Sequence, residues 1–241
     1  MVRNKPRHFE FKQTITIQPE ILKQHPELPL HMNFCFINGH PYFTKITGKV
    51  NYRKIIRRRS RCTKEIMKRL QAIVAWNNKR SFKVNEYHKY NELKKIESDL
   101  VPSTLHTQVA GEHEPTSEQN IRTLKDRTRS TMHSVPYRKM TLLMIDYIVG
   151  QAQYMLNVLT YKKLISTTIS ERNIIQGRSN LDYNTMSHNL GEYVQLIEGT
   201  KNTQCSSSVG AVAIKSSNKT GGYYSMSLRT GRKLYGLYGH N

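Results

Sequence analysis

The chain has 241 residues, with 38 Lys or Arg against 17 Asp or Glu and a formal charge of +21, so it is not indifferent to polyanions: nucleic acid is the first expected partner, an anionic membrane surface the second. A hydrophobic content of 37% lies above the range of a disordered tail and suits one large domain, or a domain with a small module. Cys35, Cys62 and Cys205 form neither a disulfide framework nor a zinc knuckle, no apolar stretch approaches the ~20 residues of a membrane span, and Met1–Glu20 is no signal peptide; a soluble, intracellular chain, nuclear or cytoplasmic, is expected.

Residues 1–30 are polar and punctuated by Pro6, Pro19, Pro26 and Pro29, and read as a leader or the truncated edge of something larger. From His31 the pattern changes. Met32–Ile37 is an apolar run closed by the turn pair Asn38-Gly39; Tyr42–Ile46 and Lys49–Ile56 follow as strands, an antiparallel meander of three. Thr63–Lys79 has helical periodicity, with Ile66, Leu70, Ile73 and Val74 on one stripe and Lys64, Lys68 and Arg69 toward water. Phe82–Tyr87 returns as a strand, Leu105–Val109 is a weaker one, and helices are expected over about Ser117–His133 and Met140–Leu159. Meander, crossover and flanking helices over 31–160 suit an α/β layer of the ribonuclease H type, though spacing alone does not select it.

Residues 161–190 form a connector rich in Thr, Ser and Asn. Over 191–241 the period becomes two, in Glu192–Ile197, Val209–Ile214, Tyr223–Leu228 and Lys233–Tyr238, separated by turns at Asn218, Gly221-Gly222 and Thr230-Gly231. This predicts a small, basic, all-β module.

Glu118–Arg129 is the most informative run. It reads as the start of a basic amphipathic helix with a carboxylate in its first turn, Ile121, Leu124 and Thr128 on one side, and Arg122, Lys125, Arg127 and Arg129 spread over the rest. A carboxylate followed by several cations suits phosphoryl transfer on DNA, where a divalent ion and a phosphate meet at one place. The densest basic block is Arg53–Arg61; its Arg57, Arg58, Arg59 and Arg61 read either as phosphate contacts or a nuclear import signal, or as a solvated strand end. Tyr223, Tyr224, Arg229, Arg232, Lys233, Tyr235 and Tyr238 interleave rings with cations, an arrangement that either stacks on bases or packs a small barrel. Trp76, Tyr137, Tyr147 and Tyr154 are expected to pack, and His113 to be a bystander.

The residues His31–Gly39, Glu118–Arg129, Ser134–Lys139 and Gly222–Arg232, in this order and separation, resemble the integrase region of copia-type retrotransposon polyproteins, over about residues 30–238. The resemblance implies a ribonuclease H-like fold in which three carboxylates hold two divalent ions, Mg²⁺ or Mn²⁺, for DNA strand transfer, and assembly as a homo-oligomer. Carried over position by position, the first acid falls on Asn33, the second on Tyr90 just before Asn91-Glu92, and the third on Glu118. Only Glu118 keeps its charge, so the expected metal binding is poor and the expected copy catalytically inactive. The alternatives are a host-recruited, non-catalytic DNA- or RNA-binding protein, and an active nuclease using the displaced acids Glu86 or Glu92.

Overall fold

Asn38 and Gly39 decide the first connection. The computed structural model describes residues 16–58, 63–89, 104–107, 115–159, 165, 166, 168–177, 188–197, 208–216 and 223–236. Asn38 and Gly39 lie at φ 48° and 76°. Positive φ at both central residues makes a two-residue turn whose twist matches paired antiparallel strands. It joins β1 (Leu30–Ile37) to β2 (His40–Thr47), with Ile37 opposite His40. The third strand starts later than the segment read from the sequence. Lys49 and Asn51 take φ 63° and 58° in a turn closed by Asn51 N–H donating to Thr47 O, and β3 is Arg53–Arg57. Gly48 begins that turn because a Cβ there would lie 2.6 Å from the Pro29 ring.

α2 (Thr63–Lys79) buries Met67, Leu70 and Ile73 at helical spacing. Met67 and Leu70 pack with Leu30, Met32, Phe43, Val84 and Tyr87, while Trp76 leaves 46% of its surface to solvent. The apolar run Phe82–Tyr87 is not one strand. Lys83 N–H donates to Pro26 O and Lys83 O accepts from Leu28 N–H, an isolated parallel bridge; β4 in the sheet is Glu86–Lys89. β4 runs parallel to β1, and β5 (Thr104–Thr107) parallel to β4. The resulting order, β3-β2-β1-β4-β5, puts an antiparallel meander and two parallel strands in one sheet. With its flanking helices this is the ribonuclease H-like arrangement expected.

A second cluster closes this unit. Pro at its first turn starts α1 (Pro19–Gln24), whose Ile21 packs with Ile17, Leu28, Val50, Tyr52 and Phe82. Ile174 and Ile175 complete the cluster from α5 (Glu171–Gln176), a helix within the stretch read as a connector. Local chemistry explains it: Ser170 Oγ accepts from Asn173 N–H at one end, and Gly177 at φ 66° ends the other. The exposed side of the edge strand β3 is closed by Asn157 of α4 (Leu142–Val158), whose amide accepts from Arg53 N–H and donates to Arg53 O, both at 2.8 Å.

The chain divides into two compact units. The elements above, with α4 from Ala152 onward, belong to the first, the described parts of Gln13–Arg129 and Ala152–Asn180; the second takes those of Ser130–Gln151 and Leu181–Asn241. In the second, β6 (Tyr193–Ile197), β7 (Ser208–Ser216), β8 (Tyr223–Ser227) and β9 (Lys233–Gly236) form an antiparallel sheet in chain order, with an irregularity between Ala213 and Lys215. Val194, Leu196, Ala211 and Ala213 form one apolar cluster. Ile214 and Met226 form another with Met144, against which Tyr137, Tyr147 and Leu190 pack. Tyr137 Oη donates to Gly191 O at 2.9 Å, so both tyrosines pack as expected.

Lys45 and Glu171 of the first unit are charged side chains buried against the usual rule. Lys45 on β2 is 2% exposed, and its ammonium has no hydrogen-bond partner among the described residues. Glu171 is 1% exposed, with Oε1 3.8 Å from Arg53 Nη1.

Candidate nucleic-acid interface

α3 (Pro115–Ser134) forms where the basic amphipathic run predicts a helix. Its buried residues are Ser117, Asn120, Leu124 and Thr128, three or four apart, so the buried stripe is more polar than the sequence suggests. Ile121 and Lys125 are half-buried at its border, while Glu118, Arg122, Arg127 and Arg129 are exposed. Arg129 Nη1 lies 2.9 Å from Asp126 Oδ1, a pair that offsets part of its charge.

The sheet brings Asn33 to this helix. Asn33 Nδ2 donates to Ser117 Oγ at 3.4 Å, immediately before Glu118 in the chain. Asn33 Oδ1 accepts from Phe34 N–H at 2.7 Å, and its backbone carbonyl from Thr44 Oγ1 at 3.1 Å. Both ends of the amide are thus occupied within the fold. The pair Met32↔Lys89 puts the residues preceding Asn33 and Tyr90 in register; Tyr90 itself, like Glu92, Arg59, Arg61 and His113, lies outside the described residues. Glu86 sits three residues before Lys89, roughly 10 Å back along the strand, where its carboxylate lies 3.6 Å from His88 Nε2. His88 in turn stacks on His31, ring centroids 4.6 Å apart.

Strand alternation separates Arg57 from Arg58 in the basic block. Cys35, Tyr42 and Arg57 are cross-strand partners and share the face of Asn33. Arg58 goes the other way, its guanidinium 4.6 Å from the centroid of Phe34. Cys35 is buried, which pushes its thiol up to about 11 against an opposing pull from Lys125, so it is an inert packing residue beside the helix. Arg57 and the α3 cations thereby belong to one side of the sheet, and Arg58 to the other.

The resemblance implies Mg²⁺ or Mn²⁺, and the described donors do not fit paired dications. Glu118 offers one exposed carboxylate, while Asn33 offers an uncharged amide oxygen already accepting from Phe34 N–H. Among the described residues no three His, Cys, Asp or Glu side chains are grouped to hold a metal ion. What remains is an exposed array of cations able to meet phosphate oxygens. No helix among the described residues is long and apolar enough to cross a membrane.

No protein-family model matches the sequence, and no curated protein matches it. Among solved structures, the catalytic core domain of BIV integrase is similar, with TM-score 0.43 and 14% identity over 61% of this chain and 93% of that one.

Proposed function

We propose that this chain is an integrase-like nucleic-acid-binding protein of the copia retroelement type, which grips phosphates through Arg57 and the exposed cations of α3 and does not transfer strands. The observation that carries this reading is the Asn33–Ser117 hydrogen bond. At the position where the resembling family places its first aspartate, a neutral side chain pins β1 to the turn of Glu118. A dicationic centre needs negative charge to offset it before an anionic phosphodiester can approach. One carboxylate beside an occupied amide does not supply that charge. The cations that remain serve sequence-independent phosphate contact, because none of that chemistry requires a metal.

If several phosphates are neutralised, affinity for duplex DNA falls with salt at a log–log slope of about −4 to −8. Anisotropy titrations between 50 and 200 mM salt should therefore lose roughly two to five decades of affinity. A flat response contradicts phosphate-driven binding. Neutralising Arg122 and Arg127 together should make the slope shallower by about two.

A further inference from the structure

We infer that the β8–β9 hairpin of the second unit is a stacking site for single-stranded nucleic acid, with Tyr235 as the base platform and Arg229, Arg232 and Lys233 as its phosphate contacts. This rests on the nucleic-acid binding proposed above and adds a site and a strand preference to it.

Tyr235 leaves 49% of its surface to solvent, yet it is not a loose side chain. Its ring meets that of its cross-strand partner Tyr224 at a centroid distance of 5.1 Å and an angle of 50°. The Lys233 ammonium lies 4.0 Å from the centroid of Tyr224 and 5.8 Å from that of Tyr147. Tyr235 thus rests on one ring, Tyr224, which a cation also contacts, and this lowers the entropy lost when a base settles on it.

The turn that follows β8 is equally ordered. Ser227 Oγ accepts from the N–H groups of Arg229 and Thr230, both at 3.2 Å, and Gly231 takes φ 65°. Arg229 and Arg232 are exposed on this fixed turn. Residues 223–236 contain no Asp or Glu, so no carboxylate of the hairpin competes with a phosphate.

Rings and cations together distinguish two forms of the polymer. A duplex offers its phosphates but keeps base faces stacked inside, so it engages the arginines alone. An unpaired strand offers both, and every base has a face that Tyr235 can meet.

The test is binding of a fluorescein-labelled oligo(dT) 15-mer, and of a duplex of the same length, to the full chain and its variants at one salt concentration. Tyr235→Ala is expected to weaken oligo(dT) binding by roughly 5- to 100-fold while leaving duplex affinity unchanged. Tyr235→Leu, which keeps apolar bulk beside Tyr224, should lose as much, and Tyr235→Phe should bind like the parent. Unchanged oligo(dT) binding by the Ala or Leu variant overturns the inference, as does equal loss for both probes; both leave the proposed function standing. Failure of the parent chain to bind either probe overturns the proposed function as well.

Discussion

Lys45→Met is expected to raise stability at pH 7 by about 1–4 kcal/mol. Lys45 lies on β2 opposite Met32 on one side and Lys54 on the other, 2% exposed and, among the described residues, without a hydrogen-bond partner for its ammonium. Burial, reinforced by the Lys54 charge, holds the ammonium well below its ordinary titration range. The unfolded chain therefore binds this proton more tightly than the folded one, and folding at neutral pH carries a cost that methionine, of similar length, removes. The gain should shrink as pH rises toward the ordinary lysine range, because there the unfolded side chain is neutral too. Urea unfolding of parent and variant at pH 7 and pH 10 measures it. Equal stabilities at pH 7 would show that Lys45 has a compensating partner in solution.

Glu171→Gln should stabilise the protein at pH 8 by about 1–3 kcal/mol and leave stability at pH 4 unchanged. Neither oxygen of this carboxylate has a hydrogen-bond partner of good geometry among the described residues. Burial pushes Glu171 up to about 7 from an ordinary 4.5, its own amide and Arg53 only partly offsetting the effect. Below 4.5 the carboxyl is neutral in both states. Between that value and about 7 the unfolded chain gives up its proton first, so stability falls as pH rises; above it both states are ionised and the slope vanishes. The parent should therefore lose stability across this window and the glutamine variant should not. A parallel decline in both proteins would place the titrating group elsewhere.

Neither buried charge was legible in the sequence, since a lysine in an amphipathic strand and a glutamate after Ser170 look like solvated residues, and only the packing around them shows otherwise. Other features were legible because their causes are local. Asn38-Gly39 dictates its turn by backbone chemistry alone, and the Glu118–Arg129 run carries its own helical period. The misread boundaries have a different cause. Phe82, Val84 and Tyr87 are all buried, but the backbone around Lys83 pairs with Pro26 and Leu28 instead of the sheet. Val50 and Tyr52 are buried too, yet Lys49 and Asn51 are in a left-handed turn. Apolar residues announce burial; they do not announce which backbone they pair with. The α3 stripe was legible at Leu124 and Thr128, but Ser117 and Asn120 were missed for the converse reason, being buried polar residues that hydrophobic periodicity does not count.

At the candidate site, the sequence identified Asn33 and Glu118 as positions to compare, but not that Asn33 would bond Ser117, which requires the contact between strand and helix. The sequence also did not show that Arg57 and Arg58 diverge to opposite faces, although period-two alternation predicts it once the strand is placed.

The most direct measurement incubates the purified chain with end-labelled donor DNA and a target plasmid, in Mg²⁺ and separately in Mn²⁺, and follows both binding and covalent products. Retained DNA recovered intact is the predicted result. Joined or nicked DNA that appears with the parent chain and disappears with Glu118→Ala would contradict it.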